Sequence, residues 1–171
     1  MKSIIFAAIC VFALAGLAAA QNKSVYTSLK TENCKSIKQS EPDSYVGQCI
    51  GVGGYKLQLL EGDIRQTINV ITPARKKFEL NFWHYYGGFS TVGAKAEWRM
   101  KGAVPVALIV RFNVADIEDS TKNTSYLMIS KIAKASSCVT DIVQPGANQN
   151  ETARTLADAA STKPCKSTDA Q

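Results

Sequence analysis

The spacing of the cysteines limits the fold of this chain more than any other sequence feature. One of the five, Cys10, lies in an apolar run near the start, and the other four form one pair toward each end, Cys34 with Cys49 and Cys138 with Cys165. Four cysteines allow three disulfide connectivities, and pairing near neighbours closes the most economical loops. Each such bond stabilises a fold by about 3 kcal/mol in the chain-entropy model. We therefore predict two structural disulfides, Cys34–Cys49 and Cys138–Cys165.

The same cysteines are poor candidates for chemistry. Structural zinc requires closely spaced ligands, and no two cysteines of this chain lie that close together. Two disulfides would also leave no free thiol in the mature protein for catalysis. The sequence therefore predicts no metal, no cofactor and no catalytic cysteine.

The first 20 residues have the form of a cleavable export signal. A single cation, Lys2, precedes an apolar run over 4–17, and three alanines at 18–20 supply the small side chains of a signal-peptidase site. The run is shorter than the roughly 20 residues of a membrane-spanning helix, and no second apolar run is long enough to span a membrane. We expect a signal peptide over 1–20 and a mature single domain over 21–171, located in the periplasm or secreted.

The middle of the chain alternates apolar and polar residues with a period of two, which is typical of antiparallel strands with one wet face. A Gly-Asp turn at 62–63 predicts a hairpin between the first two of these segments. The segment at 104–114 is apolar on both faces and predicts a buried central strand. The expected fold is mainly β, an antiparallel sandwich or partly open barrel. The predicted strands are 55–59, 64–70, 91–100, 104–114, 126–132 and 138–143.

The end of the chain changes to a helical period. Asn148 followed by Glu151 has the form of an N-terminal cap, and Pro164 ends the helical pattern. A helix this short is marginal alone, so we expect it to dock on the sheet, with its far end held by the Cys138–Cys165 bond. The apolar positions of this predicted helix are Ala153, Leu156, Ala157 and Ala160.

The candidate binding residues lie in the densest aromatic stretch, FWHYYGG at 82–88. They are Trp83, His84, Tyr85 and Tyr86, because tryptophan and tyrosine offer a large contact area at low entropic cost and can stack on sugar rings. The alternative is a loop that packs over a sheet edge. A hydrolase with a histidine base would have to use His84, the sole histidine, and no nucleophile-elbow motif accompanies it.

The charge pattern is mildly basic. The formal net charge is +6 at pH 7, and +5 once Lys2 leaves with the leader. Such a charge aids solubility and permits weak attraction to anionic surfaces such as lipid headgroups. The one dense group, Arg75-Lys76-Lys77, lies in a predicted loop, and the other cations form no stripe, so we predict no nucleic-acid partner. Arg111 lies in the predicted central strand and would need a partner there such as Glu97.

Several segments together resemble a group of proteins. The chain resembles small exported proteins of unknown function from Gram-negative bacteria, over most of the mature sequence. The resemblance implies a periplasmic or secreted location and carries no known activity or catalytic residue. It rests on YTSL at 26–29 before Cys34, GY at 54–55, LLEGDIRQTIN at 59–69, ALIVRF at 107–112 and LADAA at 156–160 before Cys165.

The function favoured by the sequence is that of a non-enzymatic envelope protein whose surface loops bind a protein or a glycan. One alternative is a cell-envelope hydrolase that uses His84 or a pair of carboxylates. Another is an inhibitor of lysozyme, although two basic proteins would repel each other. A sugar or lipid carrier is also compatible and requires a sizeable apolar or aromatic cavity.

Overall fold

The computed structural model describes residues 22–37, 44–119 and 121–167, so the predicted signal peptide lies outside the described residues. The strands are β1 (Lys23–Ser28), β2 (Lys35–Ile37), β3 (Tyr45–Ile50), β4 (Lys56–Gly62), β5 (Arg65–Ile71), β6 (Lys77–Glu79), β7 (Ser90–Lys101), β8 (Val104–Ala115), β9 (Asn123–Lys131) and β10 (Cys138–Val143). The helix α1 is Gln149–Asp158, and 3₁₀ turns cover Thr31–Asn33, Phe82–His84 and Ala160–Thr162.

These strands belong to one sheet that is not closed. Their order is β10-β9-β8-β7-β5-β4-β3-β2, with β1 paired to β7 and β6 paired to β5. The strand pairs are antiparallel except for one parallel contact between Arg65 of β5 and Ser90 of β7. This narrow junction divides the sheet into two halves, β1 with β7–β10 and β2–β6. The predicted fold class, mainly antiparallel β with a C-terminal helix, is confirmed.

The two halves of the sheet enclose the main hydrophobic core. Leu57 and Ile68 from one half meet Trp98 and Leu108 from the other, and all four side chains are fully buried. In β4 the polar neighbours Lys56 and Gln58 point away from this core, which explains the alternation there. In β8 the neighbours Ala107 and Ile109 are buried in a second cluster under α1, which confirms that this strand is buried on both faces. The indole N–H of Trp98 donates to Thr27 Oγ1 (2.9 Å), and this bond holds β1 to β7.

Helix α1 covers the outer face of the half that contains β7–β10. Ala153 and Ala157 are buried there against Ile109 and Leu127, which confirms that the helix docks on the sheet. Asn148 precedes the helix, but its backbone has a φ of 61° and its side chain makes no capping bond, so the predicted side-chain cap is wrong. Neither α1 nor any other helix in the described ranges has the length and apolar character needed to cross a membrane.

Both predicted disulfides are present. Cys34–Cys49 ties the residue before β2 to β3 across a Cα–Cα distance of 4.2 Å. Cys138–Cys165 ties the start of β10 to the segment that follows α1. Beside this second bond the Lys166 N–H donates to the Val139 carbonyl (2.8 Å), so the C-terminal segment contacts the outer edge of β10.

The two disulfides differ in exposure. Cys34 and Cys49 are buried, whereas Cys165 is exposed. A reductant must reach a sulfur atom, so we expect limited reduction to open Cys138–Cys165 before Cys34–Cys49. Alkylation of the released thiols followed by peptide mass spectrometry measures the order. Labelling of Cys34 and Cys49 first would contradict this assignment.

The turn between β4 and β5 holds a strained residue. Asp63 and Ile64 both have positive φ, 51° and 56°, as the central residues of a two-residue hairpin of type I′ require. Isoleucine is β-branched and disfavours this conformation, and the Ile64 side chain is 64% exposed, so little packing offsets the strain.

We expect Ile64→Gly to raise the free energy of unfolding by about 1 kcal/mol, because glycine adopts positive φ without a steric penalty. Urea denaturation monitored by circular dichroism measures this. Ile117→Gly is the control, because Ile117 is 92% exposed and is not among the positive-φ residues. An equal gain in both variants would show that the effect comes from removing exposed apolar surface and not from strain.

Candidate functional site

A cleft of about 350 Å³ lies where α1 meets the outer face of β7, β8 and β9. Its lining combines apolar and charged side chains. The apolar part includes Ile109 and Leu127, which are buried. The polar and charged lining residues are Tyr26, Lys95, Glu97, Arg111, Asn150 and Arg154.

An irregularity in β7 shapes one wall of this cleft. Between two regular pairs, residues 93–95 of β7 lie opposite the single residue Arg111 of β8. A Cβ atom on Gly93 would lie 2.8 Å from the Arg111 Cβ, so glycine lets the bulged strand pass close to that side chain. The Leu29 N–H donates to the Ala94 carbonyl (2.9 Å) and holds the bulge in place.

Arg111 is half-buried in the cleft and has only neutral partners among the described residues. Its Nη1 donates to Ser125 Oγ (2.8 Å) and to Gln149 Oε1 (3.2 Å), and its Nη2 lies 3.4 Å from Asn150 Oδ1. The expectation that Glu97 would pair with Arg111 is wrong, because the Glu97 carboxylate binds another arginine. Gln149 Nε2 donates in turn to the Ser125 carbonyl (2.8 Å), which fixes the first turn of α1 beside the guanidinium.

The second wall is an ion pair between α1 and β7. Arg154 Nε donates to Glu97 Oε1 at 2.7 Å, and its Nη2 contacts Oε2 at 3.3 Å. Ser24 Oγ donates to the same carboxylate (2.6 Å), and Arg154 Nη2 also lies 3.1 Å from the Tyr26 hydroxyl. Helix, central sheet and β1 therefore meet at Glu97, whose side chain is only 12% exposed.

A buried arginine two residues beyond Glu97 in β7 completes this network. The Arg99 side chain is 4% exposed, and it forms a bidentate pair with Asp158 of α1, with Nε to Oδ1 at 2.7 Å and Nη2 to Oδ2 at 2.8 Å. Its Nη1 donates to Ser24 Oγ, and Asn22 Nδ2 donates to Asp158 Oδ1 (3.0 Å). The alternation of β7 places Glu97 and Arg99 on a polar face, and the sequence gives no direct sign that a helix covers that face.

The pKa values of both carboxyl groups are lowered. Burial disfavours the charged form of Glu97 and acts to raise its pKa, but hydrogen bonds from Arg154 and Ser24 outweigh burial. Asp158 is also desolvated, and the hydrogen bonds from Arg99 and Asn22 again bring its pKa below the usual value. Both groups are therefore carboxylates at neutral pH, already bound to arginines.

The charges of the cleft region do not cancel. Glu97 and Asp158 balance Arg154 and Arg99, whereas Arg111 and Lys95 have no carboxylate partner in the described part of the chain. A cleft with a free guanidinium edge, a nearby ammonium group and an apolar floor suits an anionic ligand that also carries some apolar surface.

The aromatic segment at 82–88 is partly core. Phe82 and Tyr85 are buried, and the Tyr85 hydroxyl donates to the Lys166 carbonyl (3.2 Å). Tyr86 stacks on Tyr126, with ring centroids 4.0 Å apart. Burial raises the pKa of Tyr85 and of Tyr86. Of the four residues predicted to bind a ligand, Tyr85 is buried, Trp83 and Tyr86 are half-buried and His84 is exposed. Their binding role stays a prediction.

His84 lies in the 3₁₀ turn at Phe82–His84, away from the cleft lining. Within the described ranges its imidazole has no carboxylate or hydroxyl partner that would orient it as a base. The same ranges contain no cluster of three or more histidine, cysteine or acidic residues that would suit a metal ion.

The chain has no significant match among protein-family models, curated proteins or solved structures. A ligand for the cleft is therefore proposed from the cleft's own side chains. The cleft residues Arg111 and Arg154 come from segments far apart in the sequence, so no short motif marks the site.

Removal of the Asp158 charge tests the network. We expect Asp158→Asn to lower the free energy of unfolding by about 3 kcal/mol, because the buried Arg99 guanidinium loses its bidentate carboxylate. It would keep only the longer contact to Glu97 at 3.8 Å, a carboxylate that Arg154 already binds. Urea denaturation measures the loss. Asp63→Asn is the matched control, because its partner Arg65 is 43% exposed and the pair lies at the surface, where such pairs contribute about 0–1 kcal/mol. Equal losses in the two variants would contradict a special role for Asp158.

The same network predicts the pH dependence of stability. Since the folded pKa values of Glu97 and Asp158 are lowered, their contribution is present above the unfolded pKa of about 4 and is lost as pH falls through the folded values. We expect the unfolding free energy of Asp158→Asn to fall less steeply on the acid side than that of the unaltered protein. Parallel curves for the two proteins would show that Asp158 has an ordinary pKa in the fold.

Proposed function

We propose that this protein is an exported, non-enzymatic binding protein that takes a carboxylate-bearing ligand in the cleft between α1 and the sheet. The predicted leader and the two disulfides support export, since disulfides persist in oxidising compartments. The ligand would be a small molecule or the end of a partner in the cell envelope. Gram-negative origin is part of the same proposal and rests on the resemblance of the sequence segments.

The observation that carries the proposal is Arg111. A half-buried guanidinium with three neutral partners keeps its positive charge uncompensated, and a carboxylate is the group that its planar N–H donors fit best. Ser125 and Gln149 fix the orientation of the side chain before a ligand arrives, so little rotamer entropy is lost on binding.

The chemistry of the cleft favours binding over acid–base catalysis. A general base works best with a pKa near the operating pH, whereas the pKa of Glu97 lies below its usual range because Arg154 and Ser24 hydrogen-bond to it. That carboxylate is therefore a weak proton acceptor and serves to position Arg154. Ile109 and Leu127 add an apolar surface that an aliphatic or aromatic portion of the ligand would cover.

Binding of a simple carboxylate tests this function. We expect butyrate, titrated against chloride at constant ionic strength, to shift the amide resonances of Gly93, Ala94 and Lys95 in the ¹⁵N-labelled protein. Arg111→Gln should weaken this binding about tenfold or more, the loss expected when a charge-assisted hydrogen bond is removed.

The matched control is Arg75→Gln, which removes the same charge from an exposed loop outside the cleft. Its affinity for butyrate should equal that of the unaltered protein. Equal binding by Arg111→Gln, or shifts confined to residues away from the cleft, would overturn the assignment.

A further inference from the structure

We infer that one end of the molecule docks on an anionic phospholipid surface. This basic end consists of the loops β3–β4, β5–β6, β7–β8 and β9–β10 and the residues that flank them, and none of its cations lines the cleft. Its cations are Lys56, Arg75, Lys76, Lys77, Lys101 and Lys134, all of which are exposed. The inference is independent of the proposed ligand in the cleft.

The four loops touch one another, so their charges form one surface. A Cβ on Gly53 would lie 3.0 Å from Pro105 Cδ, which places the β3–β4 loop against the start of β8. A Cβ on Gly54 would lie 3.3 Å from Pro73 Cγ, which places the same loop against the β5–β6 loop. Lys76 Nζ donates to the Ala135 carbonyl (3.2 Å), which joins the β5–β6 and β9–β10 loops. Arg75-Lys76-Lys77 is the one dense group of cations along the sequence, and the fold brings further cations from separate loops to the same end.

Among the residues that the structure describes, few carboxylates oppose the charge of this end. Glu79 is the nearby carboxylate of β6, and it is paired with Lys77 at 2.8 Å. At the opposite end of the sheet, the β4–β5 and β8–β9 loops are acidic. The molecule therefore has an electric dipole that would orient it on an anionic surface. The charged residues flanking those loops are Glu61, Asp63, Arg65, Asp116, Glu118, Asp119 and Lys122.

Two exposed apolar side chains favour a lipid surface over other polyanions. Ile50 is 77% exposed and Val104 is 61% exposed, and each lies opposite a lysine in its hairpin, Ile50 opposite Lys56 and Val104 opposite Lys101. At a bilayer surface such lysines reach the phosphates while the apolar neighbours enter the boundary with the acyl chains. A nucleic acid or an acidic polysaccharide offers no apolar phase for these two residues.

Cosedimentation with lipid vesicles tests the inference, with the purified protein in which both disulfides are formed. We expect binding to vesicles of phosphatidylethanolamine and phosphatidylglycerol, little binding to phosphatidylcholine, and a decline with added salt. The triple variant Lys56→Gln, Lys101→Gln, Lys134→Gln should lower the partition coefficient about 100-fold, since each cation near an anionic membrane contributes roughly fivefold.

The control triple variant is Lys30→Gln, Arg65→Gln, Lys122→Gln, which loses the same charge away from the basic end. It should retain most of the binding of the unaltered protein, and thermal midpoints confirm that both variants are folded. Equal loss in the two triple variants would overturn the inference, because it would show an effect of net charge alone.

A third variant separates lipid from other polyanions. Ile50→Ser with Val104→Ser keeps every charge, and we expect it to weaken vesicle binding several-fold while leaving adsorption to a polyphosphate resin unchanged. Unaltered vesicle binding by this variant would overturn the lipid assignment and show that the basic end recognises phosphate charge alone.

Discussion

The buried ion pair between Arg99 and Asp158 is the interaction on which the arrangement of this molecule depends. It joins the centre of the sheet to the last turn of a short helix that buries mainly alanines. Alanine burial alone contributes little, because each side chain removes little apolar area from water. The bidentate pair stabilises the docking of α1, and its fixed geometry also sets the orientation of the helix across β7–β9. The cost of desolvating two charges is offset by two further hydrogen bonds, one that Arg99 donates to Ser24 and one that Asn22 donates to Asp158. Both bring the start of the domain into the same network.

The cleft is a consequence of that fixed helix. Asp158 and Arg154 bind residues of β7, and this places the first turn of α1 over β8 and β9. In that turn Gln149 and Asn150 contact Arg111. The bulge at Gly93 completes the space from the sheet side. The site therefore has rigid elements on both sides, and Ser125 and Gln149 hold Arg111 in position, as the proposed carboxylate site requires.

Local sequence patterns predicted the parts of this fold that depend on local chemistry. The β4–β5 hairpin followed from alternation and its turn residues, the helix from its period, and the disulfides from loop economy, whereas the strands β1 and β3 were not predicted. The short edge strands β2 and β6 have only three residues each, which is too short for a periodic signal. The site was not predictable in the same way: pairing of Glu97 with Arg154, and of Arg99 with Asp158, depends on which face the helix covers. The basic end is likewise a product of topology, because its cations are scattered along the sequence.

The contact between the C-terminal segment and β10 affects how copies of this protein meet. A strand at the rim of an open sheet presents backbone donors and acceptors that another strand can pair with. Here the Lys166 N–H already occupies the Val139 carbonyl, and the adjacent disulfide keeps that segment in place. Oxidation at Cys138 and Cys165 therefore does more than stabilise one chain: it shields a sheet edge, and a chain retained in a reducing compartment would expose that edge to strand exchange between molecules.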